Sequence, residues 1–119
     1  MRFTPSHEWI LLKGTQGTVG ITEYAQKELG EIVYVELPPI GKIVKAGEEV
    51  CVLESTKAAA DVYAPLSGKI TAVNETLRAH PSAINQAAET HGWLFQLEAT
   101  HPKEYEALLA LTDYKSLIS

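Results

Sequence analysis

At 119 residues the chain fits one domain spanning residues 1–119, long enough to bury about 65% of the surface its unfolded form exposes. Its formal charge of −5 comes without any run of Lys or Arg, which argues against nucleic acid as a partner, and its 45% hydrophobic content is that of a soluble globular protein. No stretch approaches the roughly 20 apolar residues of a membrane span, and the single Cys51 leaves no internal disulfide framework.

The first residues, Met1-Arg2-Phe3-Thr4-Pro5, carry neither an apolar signal core nor an Arg/Ser-rich leader. The expected setting is therefore a bacterial cytoplasm, or a mitochondrion if the chain is a mature product. Short strands separated by glycine follow. His7 to Leu12 forms one, Gly14 and Gly17 mark a turn, and Thr18 to Ile21 resumes. Thr22 is a good helix N-cap, Glu23 suits the positive helix start, and Gly30 is a good stop. The helix between them should turn Tyr24, Ala25 and Leu29 to the core. From Glu31 to Leu37 the pattern alternates, with Ile32, Tyr34 and Glu36 on one face and Val33, Val35 and Leu37 on the other. Pro38-Pro39 ends that strand.

Further strands are expected at Lys42–Val44, Glu49–Glu54, Ala58–Tyr63, Lys69–Val73 and Trp93–Glu98. Cys51 reads as a small packed strand residue. The segment Asn74–Gly92 is polar and irregular, with room for one helical turn. Beyond Pro102, the spacing of Tyr105, Leu108, Leu109 and Thr112 predicts an amphipathic helix lying on the sheet, restarted at Asp113 with Tyr114, Leu117 and Ile118. Gly41-Lys42-Ile43-Val44 is similar to Gly68-Lys69-Ile70-Thr71, which suggests two strand-turn-strand units packed face to face, with Lys57 between the copies. The histidines, His7, His80, His91 and His101, show no metal-ligand spacing on one element, and no metal or catalytic residue is assigned.

Lys57 stands out. It lies between two strand-like runs in Glu54-Ser55-Thr56-Lys57-Ala58-Ala59-Ala60-Asp61, at a turn exposed to water. A free lysine has a pKa near 10.4, so about 0.04% is neutral and nucleophilic at pH 7. Nothing near Lys57 in the sequence supplies the apolar pocket that activates a catalytic lysine. It is instead a suitable acceptor for an enzyme that brings an activated acyl group. The plain alternative is a solvated turn lysine. The flanking alanines favour an acceptor, because they give a modifying enzyme a smooth approach.

The run Glu54 to Gly68 resembles the lipoyl-attachment segment of the glycine cleavage system H protein family. The resemblance extends along nearly the whole chain through Ser6-His7-Glu8-Trp9, Val19-Gly20-Ile21-Thr22, Ala25-Gln26, Leu29-Gly30, Val33-Tyr34-Val35-Glu36-Leu37-Pro38 and Gly92-Trp93-Leu94. It implies a mainly β barrel-sandwich hybrid of two antiparallel sheets, with a short internal helix and C-terminal helices. It also implies a monomeric, non-catalytic carrier with lipoate in amide linkage to Lys57 and Glu54 read by the lipoylating enzyme. Ser6, Glu8 and Asp61 match a cleft that shelters the loaded arm. The implied partners are a pyridoxal-phosphate glycine decarboxylase, a tetrahydrofolate-dependent aminomethyltransferase and dihydrolipoamide dehydrogenase. The arm would take an aminomethyl group from the first to the second. Two other readings stay open: an H-like protein relaying lipoate to 2-oxoacid dehydrogenases, and a biotin carrier, although Thr56 and Ala58 replace the methionines usual around a biotinylated lysine. Departures from the family pattern are Thr56 in place of valine, Arg78–Ala83, and the absence of a Pro-Tyr pair in Asn85–Gly92.

Overall fold

The computed structural model describes residues 1–119. Nine strands run in chain order: β1 (Arg2–Phe3), β2 (Glu8–Lys13), β3 (Gln16–Ile21), β4 (Ile32–Glu36), β5 (Ile43–Val44), β6 (Glu49–Ser55), β7 (Ala59–Tyr63), β8 (Gly68–Val73) and β9 (Phe95–Ala99). They form two antiparallel sheets. One has six strands in the order β1-β2-β3-β9-β8-β5, the other three in the order β4-β6-β7. The helices are α1 (Glu23–Leu29), α2 (Thr76–Ala79), α3 (Ala83–Ala87) and α4 (Leu111–Ile118), with a 3-10 helix over Pro102–Ala107. No helix is long and apolar enough to cross a membrane. The expected mainly β fold of two antiparallel sheets with peripheral helices is what the chain adopts.

The core follows from strand alternation. Ile10, Val19, Ile70 and Leu97 of the large sheet meet Val35, Leu53 and Val62 of the small one, and Leu77 and Ile84 of α2 and α3 close one side. Burying each such side chain stabilises the fold by about 1.5–3 kcal/mol. Cys51 belongs to this core at 1% exposure. Burial, with a smaller push from Glu36, raises its thiol pKa to about 12, so it is a packed side chain and not a nucleophile.

The helix α1 forms where the sequence places it. Thr22 Oγ1 accepts the Ala25 N–H at 3.2 Å, and Gly30 ends the helix at a φ of 84°, where a side chain would be strained. Its inward face differs from expectation. Ala25 and Leu29 pack against the core, but Gln26 is the buried residue, and Tyr24 lies against the His7 ring at 5.0 Å.

Four further differences have physical causes. In β4 a bulge between Ile32 and Tyr34 breaks the strict alternation, so Ile32 and Val35 both face the core while Val33 and Tyr34 face water. The segment after Asn74 holds two short helices where one turn was expected. The stripe from Tyr105 to Thr112 is not one helix. Leu109 is extended and exchanges backbone hydrogen bonds of 2.9 and 2.8 Å with Phe3, covering the edge of β1, a strand that the sequence pattern did not indicate. The two Gly-Lys-Ile segments lie side by side and not face to face: Ile43 pairs with Lys69 and Val44 with Gly68.

Candidate functional site

The hairpin β6–β7 turns at Thr56, Lys57 and Ala58, all exposed. Ser55 builds this turn. Its hydroxyl oxygen accepts the N–H of Lys57 at 3.2 Å and of Ala58 at 3.0 Å, and its own N–H donates to the Ala58 carbonyl at 2.8 Å. A short hydroxyl can thus replace ladder hydrogen bonds where the chain reverses. Thr56 N–H donates to the Glu31 carbonyl at 3.0 Å, which ties the turn to the loop between α1 and β4. The Lys57 stem does not simply run into water. A Cβ built on Gly30 would stand 3.0 Å from Lys57 Cε, so the stem lies across Gly30.

The ammonium of Lys57 has no hydrogen bond and no ion pair; the two ion pairs of the molecule are Lys42–Glu48 and Glu75–Arg78. The nearby carboxylates in sequence, Glu54 and Asp61, are exposed and form no ion pair with it. Glu54 shares a cross-strand row with Tyr34 on β4 and Ala59 on β7, all outward-facing. With Val33, this row gives the acceptor turn an apolar flank carrying one carboxylate.

Ser6 and Glu8 form a second polar cluster, at the other end of β7. Glu8 is 1% exposed and its carboxylate meets no cation. Thr4 Oγ1 and Ser6 Oγ both donate to Glu8 Oε1, the latter at 2.6 Å, and the Tyr63 N–H donates to Oε2 at 3.2 Å. Between Ser6 and Glu8, His7 adopts a φ of 73°, sparsely populated for any residue other than glycine. That turn is held from outside: His7 Nδ1 lies 2.8 Å from the Tyr114 hydroxyl, which lies 2.7 Å from Thr22 Oγ1. Burial raises the Tyr114 pKa, and the Thr22 hydrogen bond opposes this. Asp61 makes no hydrogen bond to Ser6 or Glu8. It is exposed on β7, two residues before Tyr63. Tyr63 lies six residues beyond Lys57, which corresponds to at most about 20 Å of extended chain.

The sequence reading named Lys57, Glu54, Ser6, Glu8 and Asp61; the fold brings Ser6 and Glu8 together and leaves Asp61 without a hydrogen bond to either. It missed Ser55, Gly30 and Thr4. A serine two residues before the apex of a strand-turn-strand was a usable signal for the first. The contact of Gly30 with Lys57 crosses between separate elements and leaves no local trace. The one sizeable cavity, about 460 Å³, lies beyond the Glu49–Tyr63 end of the hairpin, far from the Lys57 turn, between Ile43, Lys45, Ser67 and His101.

Comparison with known proteins bears on this arrangement. The family model described as "Glycine cleavage H-protein" matches residues 1–119. The chain is similar to the glycine cleavage system H protein of Thermotoga maritima, 53% identical over 108 residues, covering 91% of this chain and 87% of that protein. It is similar to that of Beijerinckia indica at 45% over 117 residues, covering 98% and 94%. Its structure is similar to a crystal structure of a glycine cleavage system H protein from Mycobacterium marinum, with a TM-score of 0.87 and 37% identity over 96% of this chain and 92% of that one. With matches of this extent in both sequence and structure, the chain belongs to the glycine cleavage H-protein family.

Proposed function

We propose that the protein is a lipoyl-carrying shuttle of the glycine cleavage system, with Lys57 as the residue that carries lipoate. The observation that carries this reading is an unpaired, exposed amine at the apex of a hairpin in a chain of the H-protein family. The donor chemistry fits. Lys57 Nζ supplies the nitrogen of an amide, and the activating enzyme supplies the carboxyl group. Loss of the ammonium takes the formal charge from −5 to −6. When bound, the group supplies a disulfide that accepts an aminomethyl group and electrons.

This chain's residues hold, present and shelter. The turn presents the arm to successive enzymes: a pyridoxal-phosphate glycine decarboxylase, a tetrahydrofolate-dependent aminomethyltransferase and dihydrolipoamide dehydrogenase. Tethering converts three bimolecular encounters into visits by one carried group at high effective concentration. Glu54, with Tyr34 and Ala59 beside it, is the feature a lipoylating enzyme reads. Ser6, Glu8 and Asp61 form the resting cleft. Because Ser6 donates its proton to the buried Glu8, its oxygen keeps a lone pair free to accept an N–H from the arm. The chain acts as one carrier unit, non-catalytic by itself.

Membership in the H-protein family sets aside the biotin-carrier reading, and no observation favours lipoate relay to 2-oxoacid dehydrogenases. Glycine–bicarbonate exchange with the decarboxylase tests the proposal. Fully lipoylated protein is expected to support exchange; no exchange would reject the glycine assignment.

A further inference from the structure

The acceptor turn rests on a ledge that is clamped from behind. Gly30 and Glu31 form it: the Lys57 stem crosses the bare Cα of Gly30, and the Glu31 carbonyl accepts the Thr56 N–H. Asn85 on α3, remote in sequence, grips both sides of this ledge. Its Nδ2 donates to the Gly30 carbonyl at 2.8 Å and to Gln26 Oε1 at 3.0 Å, and its Oδ1 accepts the Ile32 N–H at 2.9 Å. All of its amide hydrogen-bonding groups are thus directed at the segment under the lysine. On the other side Ser55 holds the backbone of Lys57 and Ala58. The backbone around the lysine is fixed, while its amine has no bond at all.

From this we infer that Asn85 and Ser55 are positioning residues for acylation of Lys57. Asn85 sets the height and tilt of the Gly30–Glu31 ledge. Ser55 sets the turn. Together they fix the direction in which the lysyl stem leaves the surface, across the one residue that has no side chain to deflect it. A lysine on a mobile turn loses much rotamer freedom when an enzyme captures it, whereas a turn already set loses less. In acylation the ammonium first gives up one proton, Nζ then bonds to the carbonyl carbon of an activated carboxyl group, the bond from that carbon to its leaving group breaks, and a second proton leaves the nitrogen to give the neutral amide. Neither Asn85 nor Ser55 touches these atoms.

The inference rests on Lys57 being the lipoylated residue, and the test separates the two. Full-length protein is incubated with a lipoylating enzyme, lipoate and ATP, and the rate is followed by intact mass; Lys57 labelling by acetic anhydride is measured in parallel. Because small displacements of a reacting group cost up to about 100-fold in rate, Asn85→Ala is expected to lower the enzymatic kcat/KM about tenfold. Ser55→Ala should lower it severalfold and Ser55→Thr, which keeps the hydroxyl, should restore it. Anhydride labelling should stay unchanged in all three. Wild-type rates in both alanine variants would overturn the inference, as would a parallel fall in anhydride labelling or a Ser55→Thr protein as slow as Ser55→Ala. If Asn85→Ala does not fold, the Ser55 pair decides alone. A wild-type protein that gains no mass, or a Lys57→Arg protein that does, contradicts the acceptor assignment instead.

Discussion

Two polar regions lie at opposite ends of β7, and the fold treats them in opposite ways. At one end Lys57 stands exposed, its backbone held by Ser55 and Glu31 and its charge left without a partner. At the other end Glu8 is buried, its charge met by two hydroxyls and one backbone N–H. The group proposed as the acceptor is fixed by its backbone and kept free at its tip. The group proposed to shape the cleft is fixed by its tip. The difference predicts that Lys57 is dispensable for folding and indispensable for lipoylation, and that Glu8 is needed for stability and not for lipoylation.

Replacing Lys57 with Arg sharpens this contrast most. It is expected to abolish lipoylation and glycine–bicarbonate exchange while shifting stability by no more than about 0.5 kcal/mol, as for an exposed side chain without partners. A large fall in the urea midpoint would break the contrast. Glu8→Ala should behave in the opposite sense. It strands the Thr4 and Ser6 hydroxyls and the Tyr63 N–H, and is expected to cost about 3 kcal/mol in urea unfolding while leaving enzymatic lipoylation of the folded protein intact.

Alkaline pH probes the core between the two ends. Burial raises the Cys51 thiol from its ordinary 9.0 to about 12, so the unfolded chain gives up that proton first. Stability is therefore full below pH 9 and falls as pH climbs from 9 toward 12, by at most about 1.4 kcal/mol per pH unit for this group. Tyr114, also raised, adds to the fall at the upper end. Urea midpoints measured through this range should flatten in a Cys51→Ala variant, and an unchanged slope would exclude the thiol as its source. The smallest effect expected is that of Asp61→Asn. This exposed residue has no hydrogen bond to Ser6 or Glu8, so stability should change by less than about 0.5 kcal/mol. A faster release of the aminomethyl group from the loaded arm would mark its part in the cleft, and an unchanged release rate would remove it.

Much of this contrast is legible in the sequence, because its signals are local. Thr22 and Gly30 bracket α1 by capping chemistry, and Lys57 is marked by turn position and small neighbours. What escaped depends on contacts between distant elements. The β4 bulge that sends Val33 and Tyr34 outward is set by pairing with β6 and not by alternation. Leu109 leaves the helical stripe because Phe3 offers it two backbone hydrogen bonds, a gain invisible in 3.6-residue spacing. Asn85 looks like an ordinary polar residue of an irregular segment until α3 is seen to place it behind Gly30 and Ile32. Ser6 and Glu8 are two apart in sequence, yet the donor that completes the Glu8 site is the backbone of Tyr63.

All of this turns on whether the free amine at the hairpin apex is an attachment point. Intact mass of the native protein, made under lipoate-replete conditions with the lipoylating enzyme present, beside that of Lys57→Ala, answers the question. The native chain should carry the mass of one lipoyl group, located by peptide mapping to Lys57, and the variant should carry none. An unmodified native chain, or a lipoyl group that persists in the variant, would contradict the account.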